Sequence, residues 1–228
     1  MTGRKSEAMI PEYLDVPIFP LPNVTFFPNT VLPLHVFEPR YREMIQTCMR
    51  GDRHLGVALL REGWQKDYFG NPPIHKTFGI GKIVDCEPLD DGCFDIIVEG
   101  LYRARLVVEH PTTPFRTGRV NVLQDGPIDH RRKEVEPIHK ELIGVSAKIA
   151  DALPDFSESI QSALAGHPHP SVAADVLAST LVVDAYDRQS ILEEPNPIRR
   201  LKLVLVQLRR ILAQATSDHV EEEVFEED

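Results

Sequence analysis

The chain has 228 residues, 42% of them hydrophobic and 26% charged, the make-up of an ordinary globular protein with room for one large domain or two small ones. It carries 25 Lys and Arg against 35 Asp and Glu, a net charge of −10, and seven of the acids (Asp218, Glu221, Glu222, Glu223, Glu226, Glu227, Asp228) crowd the last twelve residues. Without them 25 bases face 28 acids, so the body is nearly neutral and a general nucleic-acid or polyphosphate binder is disfavoured. Cys48, Cys86 and Cys93 make an odd count with no CxxC pair, which argues against a disulfide framework and a four-thiolate zinc site. Met1 to Pro20 lacks the apolar run of a signal peptide, and no stretch approaches the ~20 apolar residues of a membrane span. A reduced, cytoplasmic protein with no membrane partner is expected.

In chain order, the first half reads as short β-prone runs punctuated by Gly and Pro. Leu14–Phe19, Thr30–Phe37, Leu55–Arg61, Phe78–Cys86, Cys93–Glu99, Tyr102–Val108 and Arg116–Val122 are rich in Val, Ile, Phe and Thr and bounded by turn residues. Asp90-Asp91-Gly92 is a hairpin turn signal. One helix interrupts these strands, opened by Glu38-Pro39, with Tyr41, Met44, Ile45, Cys48 and Met49 on one apolar face and Gly51 as its stop. The stretch from Glu62 to Lys76 carries Trp64, Tyr68, Phe69 and Pro72-Pro73, long and aromatic enough for a packed flap or binding loop.

Beyond Asp125 the period changes. Ile138, Leu142, Val145, Ile149 and Leu153 mark one helix. Asp155 and Glu158 form a capping-box pattern for a second that ends at Gly166. His167-Pro168-His169-Pro170 is a connector, and Val172, Val176, Leu177 and Leu181 mark a third helix. Asn196 caps the last, with Ile198, Leu201, Leu205, Leu208 and Leu212 as its stripe and Arg199, Arg200, Lys202, Arg209 and Arg210 as a solvated basic face. The acidic end lacks periodicity and reads as disordered.

Motifs for common chemistry fail on inspection. Gly79-Ile80-Gly81-Lys82-Ile83 lacks the upstream Gly and the hydroxyl of a phosphate loop, and two glycines in a strand mark a bend or close backbone packing. Gly144-Val145-Ser146-Ala147-Lys148 ends wrongly for a nucleophile elbow and lies in a helical pattern, where Ser146 and Lys148 point to different sides. His167 and His169 are too few for a metal, Cys48 sits on an apolar face, and no cofactor is expected.

Residues 16–42, VPIFPLPNVTFFPNTVLPLHVFEPRYR, resemble the opening of the Lon protease N-terminal domain family. The likeness continues through Phe78-Gly-Ile-Gly81, Asp95 to Arg105, and Arg188 to Glu193 with Arg200-Leu201, so it runs from about residue 13 to 212. It implies an α+β fold: a PUA-like antiparallel β-barrel with one inserted helix over 11–124 and a helical bundle over 127–214, after which the acidic stretch read as disordered occupies 215–228. It also implies a non-catalytic substrate-binding module. The ATPase and Ser-Lys protease parts of Lon have no counterpart in this text, so no proteolysis is expected.

Within that family pattern, Phe37, Glu38, Pro39, Arg40, Tyr41 and Arg103 are expected to build structure, with Glu38 partly buried and paired to an Arg, Arg103 first. Phe37 and Tyr41 are expected in the core. Phe27, Leu34, Trp64, Tyr68 and Phe69 are candidate contacts for a peptide, which would lay alternate side chains in an apolar groove. The expected partners are unfolded or hydrophobic polypeptide segments, or a dedicated protein partner. A small molecule or an uncharacterised reaction in a cleft between barrel and bundle is the alternative, with RNA behind it.

Overall fold

The computed structural model describes residues 10–68, 70–111, 114–126, 133–165 and 169–225. The elements are β1 (Tyr13–Leu21), β2 (Val31–Val36), α1 (Pro39–Arg50), β3 (His54–Leu59), β4 (Thr77–Pro88), β5 (Phe94–His110) and β6 (Arg116–Leu123), followed by α2 (Val135–Ala152), α3 (Pro154–Ala165), α4 (Pro170–Leu181), α5 (Ala185–Glu193) and α6 (Pro197–Phe225). The six strands form one mixed sheet in the order β2-β5-β4-β3-β1-β6, with β6 also paired to β5. Sheet and helices together make an α+β fold.

One strand pairing departs from the antiparallel expectation: β1 and β3 run parallel, Ile18 opposite Gly56 and Leu21 opposite Leu59. The chain between them passes through β2 and α1, a crossover long enough to bring the next strand in with the same direction. A second departure is that the runs expected at Cys93–Glu99 and Tyr102–Val108 are one strand. β5 carries β2 along its first half and β6 along its second, with β4 on the opposite edge. Gly100 stands at the changeover and exchanges backbone hydrogen bonds with Asn29 and Thr30, each 2.8 Å. Gly100 is there for space, since a Cβ on it would lie 2.1 Å from the Phe27 carbonyl oxygen.

The same crowding explains the Gly79-Ile80-Gly81 text. A Cβ on Gly79 would sit 2.2 Å from the Phe26 carbonyl oxygen, and one on Gly81 would meet Val98 and the Phe26 ring. The segment between β1 and β2 is therefore pressed against bare backbone. Its two aromatic side chains then part. Phe26 enters a core built from the sheet and α1 (Tyr41, Met44, Ile45, Cys48, Leu55, Ile83), and Phe27 enters the core of the helices (Leu142, Leu177, Leu201, Leu208). A third cluster, with Ile18, Phe78, Ile80 and Val120, fills the remaining sheet interior.

Among the helices, α6 packs on α2 and α4, and α3 bridges α2 and α4. Asn196 Oδ1 accepts the Ile198 and Arg199 amides at 3.0 and 3.1 Å, the cap expected for α6. Asp155 lies in the first turn of α3, which begins at Pro154, while Gly166 and His167 lie outside the described residues. α5 has no apolar period to mark it in the sequence: Asp184 caps it, accepting the Tyr186 and Asp187 amides, but its buried residues include the polar Gln189. The expected disordered tail from 215 is also corrected, because α6 continues to Phe225. No Gly or Pro follows Pro197 in this helix, and three of the acids within it are Glu, a good helix former.

Four charged side chains fasten the helices to the sheet. Arg103 of β5 donates to Asp175 of α4 at 3.0 Å, to Asp125 at 3.4 Å and to the Leu192 carbonyl at 2.6 Å. Arg200 of α6, fully buried and so not part of a solvated face, donates to Asp125 and to the Glu194 carbonyl, with its Nε 3.0 Å from Asp175. Burial pushes the Asp175 carboxyl up from its ordinary range, and the two guanidinium groups pull it back. Beside them Gln189 donates to the Thr77 carbonyl at 2.7 Å.

Two outcomes follow for stability. Gly79→Ala, which must displace the Phe26 backbone, is expected to cost about 1–3 kcal/mol in urea unfolding, whereas Gly144→Ala, open-sided in α2, gains about 0.5–1 kcal/mol. Asp175→Asn strands Arg103 and Arg200 beside Asp125 alone and is expected to cost roughly 3–5 kcal/mol by the same measurement.

Candidate functional site

The Glu38-Pro39-Arg40-Tyr41 text forms the corner between β2 and α1. Pro39 opens the helix with its fixed φ, and Glu38 stands before it with φ −66° and ψ 133°. The Glu38 carboxylate makes no cap bond to the helix; it is held by side chains. Its Oε1 accepts the Tyr68 hydroxyl at 2.6 Å and its Oε2 accepts Arg40 Nε at 3.1 Å. The expected partner Arg103 is instead at the sheet–helix junction, and Arg40, two residues away, takes its place. A change of direction at Pro39 turns i and i+2 to the same side, a geometry that periodicity does not reveal.

Arg40 ties this corner to the flap. Its guanidinium lies 4.5 Å from the Tyr41 ring centroid and 5.6 Å from that of Tyr68, and Nη2 donates to the Tyr68 carbonyl at 3.3 Å. The flap holds a single 3₁₀ turn, Trp64–Asp67, where Trp64 and Tyr68 pack at 5.5 Å between ring centroids. Tyr41 is buried against Phe19, and burial pushes its phenol up to about 12.

A cleft of about 530 Å³ opens beside this corner. Pro20, Arg40 and Tyr41 form its base, Gly70, Asn71 and Pro72 of the flap one wall, and Pro111, Pro114 and Phe115 at the β5–β6 turn another. Arg116 braces the far side, donating to both Glu109 oxygens at 2.7 and 2.8 Å and to the Pro72 carbonyl at 2.6 Å. Burial acts to raise the Glu109 carboxyl, but the Arg116 contacts outweigh it and hold the group below its usual range. A second cleft of about 280 Å³ lies over the sheet–helix junction, where Arg103, Asp125 and Asp175 are already spent on one another.

The sequence-chosen aromatic and apolar residues do not share one surface. Tyr68 touches the corner, and Trp64 is half-buried on the third core cluster. Leu34 is half-buried on β2 against the sheet core, and Phe27 is fully buried in the helical core and offers no surface to a ligand. Phe69 lies outside the described residues. Tyr41 is core as expected, but Phe37 is 61% exposed, stacked beside His35, because β2 ends at Val36 and the chain turns before its ring can reach the interior. The residues missed were Pro111, Pro114, Phe115 and Arg116: they lie far along the chain from the corner, and only the fold of β5 onto β6 brings them there.

The Cys48 and Ser146 side chains are both buried. Burial pushes the Cys48 thiol up to about 12, and Ser146 is buried in α2 with its hydroxyl donating to the Leu142 carbonyl at 2.8 Å. Among the described residues no group of three or more His, Cys, Asp or Glu is placed to hold a metal ion, and no helix is long and apolar enough to cross a membrane.

The corner's structural role is open to test. Glu38→Gln removes the charge that binds Arg40 and weakens the Tyr68 contact, and is expected to lower stability by about 1–3 kcal/mol in thermal or urea unfolding. An unchanged midpoint would contradict the geometry.

Comparison with known proteins places this arrangement. Residues 15–210 match the family described as the ATP-dependent protease La (LON) substrate-binding domain. Lon protease 2 of Myxococcus xanthus is 28% identical over 201 residues, and the Lon protease of Trichlorobacter lovleyi 29% identical over 203. Each alignment covers 88% of this chain and 24% of the relative, so the chain spans about a quarter of the length of the proteins it matches. Among solved structures, the N-terminal domain of Mycobacterium avium complex Lon protease superposes with a TM-score of 0.65 at 17% identity, covering 86% of this chain and 98% of that one. The Lon N-terminal domain protein from Xanthomonas campestris gives 0.62 at 22%, covering 85% and 98%. By sequence over nearly its whole length, and by fold, the chain belongs to the Lon substrate-binding domain family.

Proposed function

We propose that this chain recognises polypeptide substrates, performs no chemistry of its own, and receives an extended apolar segment in the cleft beside the Glu38–Tyr41 corner. Family membership supports polypeptide as the ligand class. The observation that carries the site is the lining: four prolines, Pro20, Pro72, Pro111 and Pro114, with Tyr41 and Phe115, in a concavity of ligand size between elements held rigid by the Arg40 and Arg116 contacts. Proline and aromatic walls bind apolar side chains at low entropic cost, because they have few rotamers to lose.

The pairings β5-β4-β3-β1-β6 and back to β5 support a PUA-like barrel over 11–124, and the packing of α6 on α2 and α4 supports a helical bundle over 127–214. In that reading the cleft is a feature of the barrel alone, and the helices brace the barrel from the other side through Arg103. The expected cytoplasmic setting fits clients that are unfolded or newly made chains.

The test is binding of a fluorescently tagged, permanently unfolded polypeptide followed by anisotropy. The double variant Pro111→Glu, Pro114→Glu puts charge on two exposed wall positions and is expected to weaken binding about tenfold or more. Ile143→Glu, at an exposed apolar position of α2, is expected to leave it unchanged. Equal loss in both variants, or none in either, would remove the cleft from the mechanism.

A further inference from the structure

We infer that the cleft is built to take a carboxylate of the bound polypeptide, held by the Tyr41 hydroxyl and Arg40 Nη1. The inference rests on the cleft as the recognition site and names the group that it reads.

The cleft uses its donors and acceptors unevenly. Its carboxylates are satisfied from within. Glu38 Oε1 accepts Tyr68 and Oε2 accepts Arg40 Nε. Glu109 Oε1 accepts Arg116 Nε and Asn71, and Oε2 accepts Arg116 Nη2. Arg116 Nη1 is taken by the Pro72 carbonyl, and His110 Nε2 by Asp15. Two groups of the base are left over. Arg40 bonds through Nε and Nη2, and among the described residues its Nη1 makes no hydrogen bond. Tyr41 is 5% exposed, lines the cleft, and among the described residues its hydroxyl has no hydrogen-bond partner.

Among the described residues the buried side-chain atoms that lack a partner are Gln189 Oε1 and Arg200 Nε, so the Tyr41 oxygen is not sealed off, and the cleft that Tyr41 lines is where a ligand meets it. Both leftover groups are donors. Arg40 has no acceptor at all, and with its proton held to about pH 12 the Tyr41 phenol offers an O–H throughout the physiological range. The group that satisfies two neighbouring donors, one of them cationic, is an oxyanion with two acceptor oxygens. An ammonium or a bare hydrocarbon would leave both unmet. The charges around the cleft, Arg40 and Arg116 against Glu38 and Glu109, cancel. Selection therefore comes from directed hydrogen bonds at short range, and salt is expected to affect it little.

A carboxylate reaches such a site either as the C-terminus of a chain or as an Asp or Glu side chain, and four peptides of one apolar, proline-containing sequence separate these. They carry a free C-terminal acid, a C-terminal amide, an amide with one internal Glu, and an amide with Gln at that position. Affinities are measured by calorimetry on the wild type and on Tyr41→Phe, which deletes only the hydroxyl, with Arg40→Lys as a second variant that keeps the charge and loses the fork.

One acidic peptide is expected to bind about tenfold tighter than its neutral twin, and which one names the source. Tyr41→Phe is expected to bring that ratio to about one while the melting temperature holds. Equal binding of all four peptides overturns the carboxylate inference and leaves polypeptide recognition standing. A preference that survives both variants overturns the assigned atoms. Failure of every peptide to bind overturns the recognition reading as well.

Discussion

The fold depends on one short piece of chain lying against bare backbone. Between β1 and β2, Phe26, Phe27 and Pro28 run across Gly79, Gly81 and Gly100, none of which has room for a methyl group. Adjacent side chains of an extended chain point to opposite sides, so Phe26 and Phe27 are delivered to two different cores by a single stretch of peptide. Sheet and helices are thereby positioned by the covalent geometry of a dipeptide. Thr25 and Arg188 extend the seam, donating to the Ala185 and Asn23 carbonyls at 3.0 and 2.8 Å. The cleft inherits this rigidity, because its base residue Tyr41 packs on Phe19 in the same core as Phe26.

What the sequence disclosed and what it hid divide along a physical line. Local rules found α1 with its Pro39 start, the Asn196 cap, the turn at Gly92, and most strand runs, since each is decided within a few residues. The close-packing reading of Gly79 and Gly81 was also available, because Gly inside a strand has few other uses. The errors came where distant chain decides. Gly100 looked like a break between strands until Phe27 explained it. Arg200 looked solvated until Asp125 and Asp175 closed around it. Arg103 and Glu38 looked like partners, and each found another.

The candidate site was legible only at one end. The Glu38–Tyr41 text pointed to the corner, and the aromatic flap to a neighbour of it. Nothing in the spelling of Pro111, Pro114 and Phe115 linked them to residues seventy positions earlier, because that link is a register: β6 pairs with both β1 and β5, and the turn between β5 and β6 falls over Pro20. Sites assembled by sheet closure carry no linear signature.

The four charges at the junction have a consequence for how the molecule comes apart. Arg103 and Asp125 come from β5 and the segment after β6, and Asp175 and Arg200 from α4 and α6, so each half holds one pair of its own while two further pairs, Arg103–Asp175 and Arg200–Asp125, cross between the halves. Stripping water from any one of them before the others arrive is uphill, and withdrawing any one leaves the rest uncompensated. Separating helices from sheet breaks the two crossing pairs together, while each half keeps one Arg–Asp pair of its own. The two halves are cross-stitched at one point, each strand of the stitch anchored in a pair that stays behind, and the cleft on the sheet half is braced by its own Arg40 and Arg116 contacts.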